Sequence, residues 1–413
     1  MEYGLIGAKL GHSYSVPIHA QLGDYDYRLY ERTEAAFVDL LKRRDFRGLN
    51  VTIPYKRLAY ELCDALSDTA REVGSVNTLI VRPDGSLYGH NTDIGGFVAM
   101  ARRAGVDIAG KKAVILGSGG TSLTAQTACK RLGAREIVVV SRKGPVDYEA
   151  LYRDHADAQV LVNTTPVGMY PNNGQSAADL SRLPALPGVL DVIYNPDKTA
   201  LLLDAEARGI PCSGGLYMLV GQAREAAELF TGKSIPESET ERIYGLLRGE
   251  ALNLILTGMP GCGKSSIGRA LAKRMNRPFV DCDTEIERRA GKSIPEIFAQ
   301  EGEAAFRALE QTVMADVCRE KGQIVATGGG AVLREANVRA MRQNGVVLHI
   351  TRRLDALSMD GRPLSKSREA LEEMWRARGP IYRAAADATV DNDGALKDAV
   401  IQAEEAYHEA AGH

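Results

Sequence analysis

Two glycine-rich loops hold the residues of this 413-residue chain that are best spaced to do chemistry. The later one is the more specific. Gly258-Met259-Pro260-Gly261-Cys262-Gly263-Lys264-Ser265-Ser266 follows the apolar run Leu252–Thr257 and precedes a helical pattern ending near Met275. It fulfils G-x-x-x-x-G-K-[ST] in the strand, loop and helix context that the motif requires. Backbone N–H groups would wrap phosphates there, Lys264 would reach the β and γ oxygens, and Ser265 would ligate Mg2+. By itself the loop means a nucleoside triphosphate and leaves switch, motor and kinase open.

The earlier loop is Gly117-Ser118-Gly119-Gly120-Thr121, after the run Lys112–Leu116 and before a helix that reaches about Leu132. Glycines let backbone approach a pyrophosphate, and the helix start offers free N–H groups and partial positive charge. Ser122 holds the third glycine position of G-x-G-x-x-G, so a plain tight turn is the competing reading. The next strand, Glu136–Val140, ends in Ser141-Arg142-Lys143. A site for NAD would carry an acid here, whereas two cations suit a 2′-phosphate and favour NADP(H). The strand-end loop Asn163-Thr164-Thr165-Pro166-Val167-Gly168 stands where a nicotinamide ring could sit.

Three polar clusters precede that loop: Gly11-His12-Ser13-Tyr14-Ser15-Val16-Pro17, Asn50-Val51-Thr52-Ile53-Pro54-Tyr55-Lys56, and Asn77-Thr78 followed by His90-Asn91-Thr92-Asp93. In order they resemble the H-S-x-S, N-V-T-x-P-x-K, V-N-T and N-T-D patterns of the shikimate dehydrogenase family. Gly215 to Gln222 is similar to that family's closing helix, and Tyr194 stands at its strand end. The resemblance covers about residues 1–247 and implies NADPH-dependent reduction of 3-dehydroshikimate. Lys56 and Asp93 would be the catalytic pair, passing a proton to the developing alkoxide. Ser13, Ser15, Thr52, Asn77, Asp93, Tyr194 and Gln222 would meet the substrate, since hydroxyls and amides suit a polyol carboxylate. Gly117, Ser118, Gly119, Gly120, Thr121, Ser141, Arg142, Lys143, Asn163, Thr164, Val192 and Gly215 would meet the cofactor. The blander readings are a surface lysine for Lys56 and helix capping for Ser13 and Ser15. His12, His19 and His90 read as structural. Ser118 and Thr121 replace alanines common in the family, and both are small.

After the second loop come Phe279-Val280-Asp281-Cys282-Asp283, Phe306-Arg307-Ala308-Leu309-Glu310, Ala326-Thr327-Gly328-Gly329-Gly330, Arg362-Pro363-Leu364 and Arg378-Gly379-Pro380-Ile381-Tyr382. This set resembles the shikimate kinase family across residues 250–413. The resemblance assigns Asp283 to the shikimate hydroxyls, placed to orient or deprotonate the attacking one, and Arg307 and Arg378 to the carboxylate. It sets Gly328, Gly329 and Gly330 against the ring, Asp281 with Ser265 at Mg2+, and Gly261, Cys262, Gly263, Lys264, Ser265 and Ser266 around ATP. Arg362 would close over the transferring phosphoryl group. Arg378 as a helix-end cation and Asp281 as a turn residue are the competing readings. The segment Leu354–Leu364 is short for the family's lid and lacks a counterpart to its adenine-contacting arginine; Arg352 and Arg353 lie nearby.

The elements that must position these residues are short apolar runs alternating with Ala-rich helical stretches. Ala113–Leu116, Ile137–Val140, Val160–Val162, Val189–Ile193, Leu252–Leu256, Ile324–Ala326 and Val346–Ile350 read as buried parallel strands. The expected fold is α/β throughout. A dehydrogenase-like catalytic subdomain (residues 1–100 with 214–248) and a Rossmann NADP subdomain (101–213) precede a P-loop kinase domain (250–413). Thr231–Glu250 reads as a short polar connection. A formal net charge of -2 gives no reason to expect a nucleic-acid or anionic-membrane partner. Six scattered cysteines fit reduced thiols in a cytosolic protein. No signal peptide or membrane span is expected, so the reading is a soluble cytoplasmic enzyme acting on 3-dehydroshikimate and shikimate. Two alternatives keep their place: the same folds acting on another substrate (a quinate dehydrogenase or a gluconate-type kinase), and a nucleotide sensor without turnover. Lys56, Asp93, Lys264 and Asp283 together argue against a sensor.

Overall fold

The computed structural model describes residues 2–11, 13–357 and 368–412, so His12 and Arg362 lie outside the described residues. Three sheets carry the chain. The first has strands β1 Tyr3–Gly7, β2 Tyr27–Glu31, β3 Gly48–Val51, β4 Ala65–Leu66, β5 Thr78–Val81 and β6 Leu87–His90, in the order β2-β1-β3-β5-β6-β4. β1 pairs in parallel with β2 and β3, but β3–β5 and β5–β6 are antiparallel. No strand of this sheet is among the runs read as parallel from the sequence. The cause of the antiparallel hairpin is local: Arg82-Pro83-Asp84-Gly85-Ser86 closes a tight turn, with the Arg82 N–H on the Ser86 carbonyl at 2.9 Å and Gly85 at φ 82°. A turn this short can only return an antiparallel strand.

The second sheet has β7 Lys112–Leu116, β8 Glu136–Val140, β9 Val160–Asn163, β10 Val189–Asp191 and β11 Cys212–Ser213, ordered β11-β10-β9-β7-β8. All its pairs are parallel. Every residue of β7, β9 and β10 is buried, which is why these strands read as unbroken apolar runs. The strand order reverses at β7, so the loops after β7 and β9 part and open a crevice at the carboxyl edge. The third sheet repeats the device with β12 Asn253–Thr257, β13 Phe279–Asp281, β14 Ile324–Ala326, β15 Gly345–Thr351 and β16 Ala388–Asp391, ordered β13-β14-β12-β15-β16 and reversing at β12.

The chain forms two compact units, residues 1–195 with 199–244 and residues 196–198 with 245–413. The change of unit falls inside helix Glu237–Ala251, where a polar connection was expected. Ile243 and Leu247, one turn apart, are both buried and give this otherwise polar helix its inner stripe. The Arg277 guanidinium donates to the carbonyls of Gly249 and Leu252, and the Tyr407 hydroxyl lies 2.9 Å and 2.8 Å from the same two oxygens. A cation there satisfies orphan carbonyls and complements the helix dipole. Among the described residues all six cysteines are free, and no helix is long and apolar enough to cross a membrane.

The core of the third sheet contains an unpaired titratable ring. His349 of β15 is only 1% exposed. It lies against Tyr382 at 5.2 Å and 16° and against Trp375 at 6.0 Å and 24°. Neither ring nitrogen has a hydrogen-bond partner among the described residues. Burial lowers its pKa from 6.5 to about 4, helped by the Arg383 and Lys264 cations. Between these values the unfolded chain takes a proton that the folded chain refuses, so stability falls as pH drops through this window and is indifferent to His349 above it. Trp375 is the single tryptophan, so its fluorescence follows unfolding here. Going from about pH 7 to about pH 4.5, the wild type is expected to lose about 2–3 kcal/mol more than His349→Phe, measured as urea midpoints. Parallel pH profiles for the two proteins would remove His349 as the cause.

Candidate active sites

In the first unit a lysine and a carboxylate meet where three loops converge. Lys56 opens helix Lys56–Leu62 after the cis Ile53–Pro54 bond. Asp93 opens helix Asp93–Arg103, where a carboxylate is favoured by the free N–H groups. Lys56 Nζ stands 2.6 Å from Asp93 Oδ2, with side-chain exposures of 30% and 14%. Beside them runs a buried amide network. Asn77 Oδ1 accepts from the Thr92 N–H at 2.8 Å, and its Nδ2 donates to Thr92 Oγ1 at 3.0 Å. Thr92 Oγ1 reaches Gln222 Oε1 at 3.2 Å. So Asn77 and Gln222, expected from sequence, are brought together by Thr92, which was not. Asn50 was also missed as a site residue: its Oδ1 accepts from Tyr27, and its Nδ2 donates to Thr78 at 3.1 Å. Ser13 accepts the Ser15 N–H at 3.2 Å, a local turn contact just ahead of helix Ser15–Leu22, whose N-cap Tyr14 makes no side-chain cap bond. Thr52 is half-buried. Tyr194 stays 38% exposed, with its ring edge-on to Tyr14 at 5.9 Å. His19 stacks on Tyr27 at 3.8 Å, and His90 Nε2 lies 2.9 Å from Glu225, so both hold the fold.

The crevice of the second sheet is shaped by glycine. Gly117 adopts φ 103°, and a Cβ there would meet Thr164 Oγ1 at 2.9 Å. Helix Gly120–Arg131 starts with no side-chain cap on its N–H groups. A Cβ at Gly119 or Gly120 would meet nothing within 4 Å, so the loop edge is open. Ser118, exposed, and Thr121, half-buried, flank it, and Ser141 turns toward Gly144. Arg142 and Lys143 are exposed and make no ion pair with a described residue. Asn163 and Thr164 differ from expectation, because their side chains are spent internally. Asn163 Nδ2 donates to Asp191 Oδ1 at 3.0 Å, its Oδ1 accepts from Thr165, and Thr164 Oγ1 donates to the Leu116 carbonyl at 2.6 Å. They shape the strand-end loop. Gly215 lies so close to Val192 that a Cβ would stand 2.1 Å from its carbonyl oxygen. Asp191, missed in sequence, is fully buried; desolvation pushes its pKa up to about 6 against hydrogen bonds from Ile193, Thr199 and Asn163. The signal was an acid inside the apolar run Val189–Ile193.

A cavity of about 470 Å³ opens at the carboxyl edge of the third sheet. It brings together Gly261, Gly263, Lys264, Ser265, Ser266, Asp281, Asp283, Arg307, Gly328, Gly329, Gly330 and Arg378. Cys262 is fully buried and does not line it, whereas Arg352 does. Lys264 Nζ donates to the Gly258 and Met259 carbonyls at 2.9 and 3.0 Å. Ser265 Oγ donates to Asp281 Oδ2 at 2.6 Å. The three glycines allow close approach: a Cβ on Gly328 would stand 2.7 Å from Asp283 Oδ1, one on Gly329 2.7 Å from Pro260, and one on Gly330 2.4 Å from Arg307 Nη1. Arg307 pairs with Glu310 at 2.9 Å. Glu310 is 1% exposed, and its Oε1 has no partner among the described residues. Burial raises its pKa against the pull of Arg307. The i, i+3 spacing of Arg307 and Glu310 was the unread signal for this pair.

Comparison with known proteins agrees in both halves. Residues 5–79 match the shikimate dehydrogenase substrate binding domain, and residues 260–406 match shikimate kinase. A shikimate dehydrogenase (NADP(+)) of Clostridium perfringens (strain SM101 / Type A) is 36% identical over 270 residues, spanning 60% of this chain and 98% of the relative. Among solved structures, shikimate dehydrogenase 1 from Peptoclostridium difficile is 37% identical with TM-score 0.54, covering 60% of this chain and 97% of that one. A chorismate mutase/shikimate 5-dehydrogenase fusion protein from Clostridium acetobutylicum is 36% identical with TM-score 0.56, covering 60% and 96%.

The buried Arg307–Glu310 pair has a stability consequence. Arg307→Met leaves Glu310 buried without its cation and is expected to cost about 3–5 kcal/mol, read from Trp375 fluorescence in urea. Adding Glu310→Leu is expected to restore most of that loss, because an apolar pair of similar volume is often neutral. A neutral single variant would show that the pair is not desolvated as described.

Proposed function

We propose, for a chain that belongs to the shikimate dehydrogenase family and carries a shikimate kinase domain, that two consecutive reactions share one polypeptide. It is a bifunctional shikimate-pathway enzyme that uses NADP(H), ATP and Mg2+. The first reaction is reduction of 3-dehydroshikimate to shikimate, and the second is phosphorylation of shikimate at its 3-hydroxyl. Residues 1–100 with 214–248 are the substrate lobe, 101–213 the NADP lobe and 250–413 the kinase domain. The observation that carries the reading is the 2.6 Å contact between Lys56 Nζ and Asp93 Oδ2, a proton-transfer pair beside a hydroxyl- and amide-rich cleft.

The open Gly119–Gly120 edge, the uncapped helix start and the free Arg142 and Lys143 cations fit NADP(H). When bound, the reduced cofactor supplies hydride. Lys56 then delivers a proton from Nζ to the carbonyl oxygen and takes one back from solvent, while Asp93 holds the ammonium in place. Ser13, Ser15, Thr52, Asn77, Tyr194 and Gln222 bind and orient the acid. In the kinase domain the Ser265–Asp281 pair offers the oxygens suited to Mg2+. The Lys264 ammonium and the positive-φ glycines Gly258, Gly261 and Gly263 suit a triphosphate. When bound, ATP supplies the phosphoryl group. Asp283 orients and deprotonates the 3-hydroxyl, and Arg307 and Arg378 take the carboxylate in planar, charge-assisted bonds. Arg362, outside the described residues, is proposed from the family resemblance alone to stabilise charge on the transferring phosphoryl group.

Incubation with 3-dehydroshikimate, NADPH, ATP and Mg2+ is expected to give shikimate 3-phosphate by mass. Lys56→Ala is expected to abolish reduction while phosphorylation of added shikimate continues; near wild-type reduction by the folded variant would overturn the assignment. Arg142→Ala is expected to lower kcat/KM for NADPH by about 10- to 100-fold, the worth of a charge-assisted contact, with little effect on NADH. Equal wild-type efficiency with the two cofactors would sink the 2′-phosphate reading.

A further inference from the structure

Tyr382 takes no part in the roles above, yet it is fully buried beneath the kinase cavity. Its hydroxyl donates to the carbonyl of Gly329, and Arg378 Nη1 reaches the same oxygen at 3.2 Å. The phenol and the Arg378 guanidinium thus share one acceptor. Tyr382 is one turn beyond Arg378 on helix Arg368–Ala385, so phenol and guanidinium form a triangle with the one carbonyl they share. Behind the triangle, the Tyr382 ring lies flat against His349 on β15. In front, a Cβ on Gly329 would collide with Pro260 of the phosphate loop, and one on Gly330 with Arg307. The Gly328–Gly330 backbone thus has no slack on its outer side, and Tyr382 fixes it from within.

We propose that Tyr382 is the positioning residue of the acid-binding end of the kinase cavity. An arginine has five N–H donors in a fixed plane, so holding one of them on the Gly329 carbonyl sets the direction of the rest. The phenol shares that carbonyl and holds both the peptide and the guanidinium. The fork of Arg378 therefore meets a carboxylate already oriented, and the cost of ordering a long side chain is met before the ligand arrives. The inference rests on the assignment of Arg378 to the substrate carboxylate.

The full-length enzyme tests it. Tyr382→Phe removes one oxygen and keeps the stack on His349. It is expected to raise the KM for shikimate about tenfold, with kcat and the KM for ATP within about twofold of wild type. A merely structural role would move both KM values and the urea midpoint read from Trp375 together. The effect of Tyr382→Phe is expected to shrink to about twofold or less in an Arg378→Ala background, since the phenol acts through that guanidinium. A full multiplicative effect of the two changes would overturn the inference while leaving Arg378 a carboxylate ligand. An unchanged KM for shikimate in Arg378→Ala alone would overturn both. Should Tyr382→Phe fail to fold, His349→Leu removes the ring supporting Tyr382 and is expected to raise the same KM by roughly threefold. No change in that variant's KM would count against the triangle.

Discussion

Both phosphate-type loops depend on one constraint: each follows a strand whose sheet neighbours continue in opposite directions. β7 lies between β8 and β9, and β12 between β14 and β15. At such a reversal the connections leaving the carboxyl edge separate, and the helix that follows points its free N–H groups into the gap. The backbone must then pass close to the neighbouring strand ends. Gly117 sits against Thr164, Gly258 against the Ile350 carbonyl, and Gly263 against Asn392. All three have positive φ, so glycine is required twice over, by dihedral and by space. The rest of each site is arranged around a loop that cannot shift without breaking these contacts.

Polar groups then cluster at the same edges, and burial makes them rigid. An unpaired buried amide or carboxylate costs more than a net hydrogen bond returns, so these groups are joined almost completely. Asn163, Asp191 and Thr199 tie β9, β10 and the following helix together. Thr92 uses its N–H and its hydroxyl to hold Asn77 and Gln222. Asn77 comes from the loop before β5 and Gln222 from helix Leu216–Thr231, more than a hundred residues later. The site residues are therefore held by supporting side chains, Thr92, Asp191 and Thr199, that are themselves fully buried. Glu310 is one exception, with one oxygen paired to Arg307 and the other unpartnered among the described residues.

The sequence made the second and third sheets legible because both faces of their central strands are covered. Such strands must be apolar throughout, and β7 and β12 are buried at every residue. The first sheet was harder to read: β2 buries only Tyr27, β6 alternates between buried and half-buried positions, and the hairpin through Gly85 makes pairs that no apolar run announces. Thr231–Glu250 looked like a connection because its composition is polar, yet Ile243 and Leu247 suffice to seat it as helix. Reactive groups with distinctive neighbours, such as Lys56 and Lys264, could be named from spacing. Supporting groups could not. Thr92, Asn50, Glu310 and His349 are ordinary residue types whose meaning comes from partners distant in sequence, and only the folded backbone supplies those partners.

One consequence concerns how the two chemistries share a chain. The residues proposed for reduction, from Ser13 to Gln222, all belong to the first compact unit. Those proposed for phosphoryl transfer, from Gly261 to Arg378, all belong to the second. Neither proposed set borrows a side chain across the division, so each proposed reaction would be complete within its own unit. What fusion then contributes is stoichiometry: every copy synthesised carries one reductive and one phosphorylating site. In the proposed sequence, phosphorylation would remove shikimate and so draw a reversible reduction forward. That pull acts through the concentration of a small, freely diffusing acid, and it needs no passage between the sites. Coupling of this kind asks only that the two activities stay in proportion, which a single polypeptide secures by construction.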